Sequence, residues 1–152
     1  MYLGMDYTYI FVAIGAVIVM IAQAGVMSSY NKYKNIDSKT KMKGKDVARR
    51  ILDANGLENV KVREVSGQLT DHYNPTDKTV NLSNSIYNDS SIASVAVAAH
   101  ECGHAIQDRI NKRTEYKNNK EYDKADEIRE ELKEKGIIIK DTREGTIYEI
   151  IK

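Results

Sequence analysis

The chain has 152 residues, 30% of them charged, and a formal net charge of +1, which excludes a disordered polyelectrolyte and gives no global attraction to nucleic acid. Its single cysteine, Cys102, excludes an intramolecular disulfide framework. The length suits one small domain with appendages, and one strongly apolar segment near the N-terminus differs from the rest.

That apolar segment covers residues 9–27, which carry no charge and whose one polar amide is Gln23. As a helix it would be roughly 28 Å long, about the hydrocarbon thickness of a bilayer, so we predict a transmembrane anchor over residues 1–28. A secretory signal peptide ending at Ala22-Gln23-Ala24 and a buried core helix are the alternatives. Eight Lys/Arg against two acids in residues 28–50 predict a single-pass cell-membrane protein with its N-terminus outside and the rest cytoplasmic.

The middle of the chain, residues 29–110, predicts a compact α+β unit. Its predicted elements are a helix over 45–57, strands at 60–65 and 79–83, and a turn at 74–77. A longer helix should begin near Ser91, after several potential N-cap residues. Small and apolar residues on nearly all of its sides predict that this helix is buried.

The last part of the chain, residues 111–152, differs from the preceding unit because it is highly charged. It predicts an amphipathic helix over 120–135 with Gly136 as its stop, then a β-hairpin of 137–139 and 147–150 with Gly145 in the turn. The predicted fold class is therefore α+β: a transmembrane helix, a small half-domain with a buried helix, then an amphipathic helix and a β-hairpin.

The buried helix contains His100-Glu101-Cys102-Gly103-His104, an H-E-x-x-H motif. Residues four apart lie on one face of a helix, so His100 and His104 can both reach one Zn²⁺. Glu101 is rotated around the axis, where it can take a proton from the zinc-bound water that attacks a peptide carbonyl. The motif predicts a small zincin-like half-domain with a buried H-E-x-x-H helix, and a peptidase with His100 and His104 as metal ligands and Glu101 as catalytic base. Cys102 is expected to be a small buried residue.

A catalytic zinc site needs a third protein ligand, which the spacing does not reveal. A metzincin would have histidine where Ile110 stands, and Asp108 follows His104 on the same straight helix, which cannot wrap around one ion. His72 remains a candidate third ligand, with a substrate-facing group or a surface turn histidine as alternatives. The carboxylates that a gluzincin-like arrangement would use are expected on a solvated face: Glu121, Glu127, Glu130 and Glu131.

Residues 1–109 resemble the bacterial membrane-associated neutral zinc metallopeptidase family. The resemblance depends on the apolar N-terminal segment, on GQLTDHYNPTDKTVNLSNSIYNDSSIAS and on VAVAAHECGHAIQD, in that order. It implies zinc ligation by His100 and His104 and catalysis by Glu101. In that family further hydrophobic, membrane-associated sequence follows the motif, and this chain has none of it, so we expect a truncated peptidase domain.

Residues 113–152 resemble the C-terminal end of bacterial cysteinyl-tRNA synthetases, through KADEIREELKEKGI followed by DTREGT. Tyr148 stands where that family usually has another aromatic residue, often Trp. The nucleotide-binding and zinc-binding parts of the synthetase are missing, so the resemblance implies no aminoacylation. Ten basic and eleven acidic residues also argue against strong binding to phosphate.

The sequence thus predicts a membrane-anchored zinc metallopeptidase, joined near residues 110–113 to a synthetase-like tail, with weak or absent activity. Its expected partners are a peptide or protein substrate and the lipid bilayer. Nucleic acid is not expected, apart from an alternative RNA contact through the tail. A non-catalytic fusion or remnant, with the tail as an RNA-associated or structural module, is the competing hypothesis.

Overall fold

The computed structural model describes residues 7–143 and 145–151. Its elements, in chain order, are α1 (Tyr7–Tyr33), α2 (Gly44–Ala54), β1 (Lys61–Val65), β2 (His72–Asn74), β3 (Thr79–Ser83), α3 (Asn84–Tyr87), α4 (Ile92–Asn118), α5 (Tyr122–Glu134), β4 (Ile137–Thr142) and β5 (Gly145–Ile150). The predicted α+β class with an N-terminal apolar helix is confirmed.

Helix α1 is long and apolar enough to cross a membrane, and none of its most apolar stretch is buried within the chain. Tyr30, in its last turn, is the one residue of the helix that packs into the domain, where it is 9% exposed. The alternative of a buried core helix is therefore wrong. By length and composition alone, a signal sequence passes the same test.

A three-stranded sheet in the order β1-β3-β2 forms the centre of the domain. Strand β3 is buried along its whole length, pairs in parallel with β1 and pairs antiparallel with β2. The strands predicted at 60–65 and 79–83 and the turn after Asn74 are confirmed. Strand β2 was not predicted, because its three residues lie in a stretch of turn-forming residues that hides the strand signal.

Helix α4 begins as predicted, since the side chain of Ser91 caps it by accepting a hydrogen bond from the Ser94 backbone N–H. One side of the helix contributes Ala93, Ala98, Cys102 and Ala105 to the main core. The prediction that α4 is buried on nearly all sides is wrong, because every fourth residue along one face is exposed: Ile92, Ala96, His100 and His104. No segment of the described chain covers that face.

The second half of α4 carries a smaller core that joins the tail to the rest of the domain. Ile110 packs there with three residues of α5 and β4: Leu132, Ile137 and Ile139. The predicted helix stop at Gly136 is confirmed by its φ of 81°, and β4 pairs with β5 as the predicted hairpin. Helix α1 continues past residue 28 and α4 past residue 110, so neither predicted domain boundary coincides with a linker. The division into 1–28, 29–110 and 111–152 stays a prediction.

Gly44 at the start of α2 is required by close packing and not by an unusual φ. A Cβ at this position would overlap the backbone carbonyl of Ile86 in α3. We expect Gly44→Ala to lower the free energy of unfolding by about 1–3 kcal/mol, because backbone cannot move aside as a side chain can. Chemical denaturation of the detergent-purified chain would measure this change.

Gly103 provides the matched control, since it is also a helical glycine and a Cβ there would meet no atom within 4 Å. Gly103→Ala should leave the stability unchanged or raise it by up to about 1 kcal/mol, through helix propensity alone. Equal effects of the two substitutions would contradict the packing argument.

Candidate metal centre and its cleft

The side chains of His100 and His104 converge on the exposed face of α4. Their Nε2 atoms are 3.1 Å apart, and the two rings meet edge to face, with centroids 4.6 Å apart and planes at 79°. The spacing of four residues brings the rings to the same side of the helix, one turn apart. The predicted pair is therefore assembled by one element, without help from a distant part of the chain.

This geometry suits two ligands of one zinc ion. Two nitrogens at ordinary zinc–nitrogen distances and a tetrahedral angle would be about 3.3 Å apart, close to the separation of the two Nε2 atoms. Within the described residues, however, no group of three or more His, Cys, Asp or Glu side chains is close enough to hold a metal ion. The described part of the chain thus brings two histidine nitrogens together, and among its residues no third side chain lies close enough to complete a metal site.

Glu101 is only 7% exposed, yet it lines the surface on both sides of the histidine pair. On one side it borders an open cleft of ≈ 460 Å³ together with His104, and on the other a shallower hollow together with His100. Within residues 7–143 and 145–151, no group donates a hydrogen bond to its carboxylate. A carboxylate held against the core without a partner is available to a molecule in the cleft.

The cleft next to His104 lies between α4 and the edge strand β2. His72 and Tyr73 of β2 line it, together with Asp71, Pro75, Gln107, Asp108 and Asn111. Because β2 pairs only with β3 in the described sheet, its other edge has backbone groups free for an added strand. An extended peptide is a ligand that such an edge can bind.

His72 shares this cleft with His104 and Glu101 but is held by other partners. Its Nδ1 atom lies 2.8 Å from the carbonyl oxygen of Thr70, and its Nε2 atom lies 3.3 Å from Nδ2 of Asn81. It belongs to β2 and not to a turn. The tail carboxylates lie elsewhere, in ion pairs or beside Arg109: Glu121, Glu127, Glu130 and Glu131.

Two carboxylates that were not predicted as site residues also border the motif. Asp71 lines both sides of the site, and its carboxylate accepts hydrogen bonds from the backbone N–H and the hydroxyl of Ser83. Asp108, one turn after His104, binds Lys78 at 2.6 Å and the Tyr73 hydroxyl at 3.1 Å. No spacing rule reveals these contacts, because they join residues about 12 to 35 positions apart.

Tyr73, Lys78 and Asp108 form a small charged network at one end of the cleft. Burial and the adjacent Asp108 carboxylate raise the pKa of Tyr73. Burial opposes the ammonium form of Lys78, but the hydrogen bonds and charge interactions with Asp108 and Tyr73 together outweigh it, so the pKa of Lys78 is raised. These partners hold Asp108 in place and tie β2 to the motif helix.

Cys102 lies on the buried side of α4, where its Sγ atom is 3.6 Å from the carbonyl oxygen of Ala48. Burial raises the pKa of this thiol to about 12. The thiol therefore stays protonated at neutral pH, as expected for a packing residue and not for a nucleophile.

Two histidines one helical turn apart, with a carboxylate beside them in an open cleft, form the arrangement typical of metal-dependent peptidases. A family model described as "Putative neutral zinc metallopeptidase" matches residues 8–131. The chain belongs to that family.

Over 100 residues the chain is 45% identical to the "Putative membrane protease YugP" of Bacillus subtilis (strain 168). The matched stretch covers 65% of this chain and 44% of that protein, so the chain spans less than half the length of this relative. No solved structure matches the chain.

A second, shorter likeness is to cysteine–tRNA ligases. The chain is 46% identical over 41 residues to that of Lactobacillus delbrueckii subsp. bulgaricus, covering 27% of this chain and 9% of the ligase. It is also 46% identical over 46 residues to the ligase of Clostridioides difficile (strain 630), or 30% of this chain and 10% of that one. A resemblance to this family was predicted from the tail of the chain.

Proposed function

We propose that this chain is a membrane-anchored zinc metallopeptidase unit that hydrolyses peptide bonds. The observation that carries the proposal is the convergence of the His100 and His104 Nε2 atoms, 3.1 Å apart, beside the unpaired carboxylate of Glu101. Family membership and the name of the Bacillus relative support it. Helix α1 would be the anchor, with the N-terminus outside and the basic residues that follow it in the cytoplasm.

In this proposal His100 and His104 hold the zinc, which when bound supplies a Lewis acid that polarises a carbonyl and lowers the pKa of water. Glu101 takes one proton from the attacking water and returns it to the leaving amine, so that one water is consumed for each peptide bond cleaved. The free edge of β2 aligns the substrate in an extended conformation. His72, whose two ring nitrogens already have partners, faces the substrate.

The tail has a structural role in this proposal. Residues 113–152 would be a fused segment that covers the second half of α4, through the small core at Ile110 and the pairing of Arg113 with Asp141. Only short stretches of the ligases are represented, so we assign the tail no part of their activity.

Zinc stoichiometry tests the metal site directly. We expect nearly one zinc per chain in the detergent-purified protein and almost none in His104→Ala, because a single histidine cannot retain the ion. Elemental analysis after exhaustive dialysis measures both.

His72→Ala is the matched control, since it removes another exposed histidine from the same cleft. It should keep its zinc. Loss of zinc in this variant would make His72 the third ligand, whereas absence of zinc from the parent chain would refute the proposed function.

A further inference from the structure

The anchor helix and the domain are joined without a flexible linker. Helix α1 runs unbroken from the apolar segment to Tyr33, and Tyr30 belongs to the same buried cluster as Ala93 and Cys102 of α4. Tyr30 follows Met27, the end of the apolar run, by about 4.5 Å along the helix axis. The packed domain therefore begins within one helical turn of the apolar segment.

Backbone hydrogen bonds then tie the segment after α1 to the start of the motif helix. The Ile92 N–H donates to the carbonyl of Ile36 at 2.8 Å, and the Ser38 N–H donates to the carbonyl of Ser90 at 2.9 Å. From Ile92, His100 is eight residues further along α4, or about 12 Å. These contacts limit how far the histidine pair can lie from the anchor.

An exposed apolar ridge lies between the end of the anchor helix and the His100–His104 pair. Ile36 and Ile92 are 45% and 40% exposed, and Ala96 and His100 follow Ile92 at intervals of four residues on the same face. Leu69, 36% exposed, borders the hollow that Ala96 and His100 line. A chain leaving the bilayer beside α1 would meet these apolar side chains on its way to the histidine pair.

We infer that the site works at the membrane surface, and that its substrates are the extended membrane-proximal segments of proteins anchored in the same bilayer. This inference rests on the proposed function, which it deepens by naming the substrate class. A substrate segment occupies the apolar ridge. A long linker between anchor and domain would let the site reach distant segments, but the described residues that follow the apolar run pack directly onto the domain through Tyr30, Ile36 and Ser38.

The position of the site is measured first, by energy transfer from a dye on Gly103→Cys to acceptor lipids in zinc-free vesicles that hold the full chain. Gly103 is exposed and lies within the motif, and the buried Cys102 thiol, with its pKa of about 12, competes little for the label. The reference is a dye on Lys34→Cys, at the end of the anchor helix. We expect the energy transfer from Gly103→Cys to be at least half of that from the reference position. A transfer below a tenth of the reference would overturn the inference.

Substrate choice is measured second, with zinc present. Two single-span substrates carry the same cleavable sequence, placed about five or about forty residues from the bilayer by a flexible Gly/Ser spacer. We expect at least tenfold faster cleavage of the near one by the parent chain and none by His104→Ala. Equal cleavage rates for the two substrates would overturn the proposed substrate class but not the proposed peptidase activity. Absence of any cleavage by a zinc-loaded chain would refute the proposed function, and the substrate class with it. If the dye lies near the bilayer but the two substrates are cleaved at equal rates, then lipid, and not substrate, covers the ridge.

Discussion

Replacing Glu101 by Gln should lower the rate of peptide hydrolysis at least a hundredfold while leaving the zinc content of the chain unchanged. The amide has the shape of the carboxylate but cannot accept a proton from water, and general base catalysis typically contributes a factor of about 10² to 10⁴. A hundredfold loss corresponds to about 2.7 kcal/mol of transition-state stabilisation. Because the activity expected of this chain is low, mass spectrometry of peptide products after long incubation is the suitable measurement.

Glu115→Gln is the matched control for this experiment. It makes the same chemical change on the same helix, at an exposed position away from the cleft. It should retain the parent activity, and both variants should keep the parent stability. Equal activity of Glu101→Gln and the parent would contradict the role of Glu101 and point to a contaminating peptidase.

The second large effect concerns stability, at the ion pair between α4 and the hairpin. The Arg113 side chain is 4% exposed, and its Nη1 and Nη2 atoms donate to the two oxygens of Asp141 at 2.6 and 2.8 Å. Lys117 and Thr146 also donate to this carboxylate. Asp141→Asn would leave the guanidinium buried without its counter-charge, which typically costs about 3–5 kcal/mol. Since Asp141 itself is about a third exposed, we expect the lower end of that range.

The Arg113–Asp141 ion pair also predicts that the stability of the chain depends on pH. The hydrogen bonds from Arg113 and Lys117 hold the pKa of Asp141 well below its usual range. A carboxyl whose folded-state pKa is lowered contributes stability above its unfolded pKa of about 3.9 and loses it as the pH falls towards the folded value. The free energy of unfolding of the parent chain should therefore fall as the pH is lowered below about 5. That of Asp141→Asn should fall less over the same pH range.

Glu149→Gln is the control for both measurements. Its partner is Lys140, and both side chains of that pair are about 60% exposed, so its loss should change the stability far less than the loss of Asp141. Hydrogen exchange of the β4 and β5 amides would locate the effect. A similar loss in the two variants would contradict the importance of burial at Arg113.

The local elements were predictable because their signals are local. The apolar run over residues 9–27 determined α1, the side chain of Ser91 determined the start of α4, and Gly136 determined the end of the tail helix. The H-E-x-x-H motif needed only the helical period to bring two imidazoles together. For these features one stretch of chain carries the whole physical cause.

The features that were not predictable from local patterns depend on contacts between distant residues. Strand β2 exists because β3 pairs with it, and its turn-rich composition gives no sign of that pairing. The exposed face of α4 was predicted to be buried because its residues are small and apolar, but burial depends on whether another segment packs there. Composition cannot answer that question.

The sequence by itself determined the apolar helix α1, the α+β class and the pairing of His100 with His104, since each follows from patterns within single segments. The tertiary structure alone decided that Asp71, His72 and Asp108 border the same cleft, and that the tail packs on α4 through Ile110 and Arg113. It also decided that Tyr30, in the last turn of α1, packs into the main core. These outcomes depend on chain packing, in which the burial of apolar surface brings together residues that no local pattern relates.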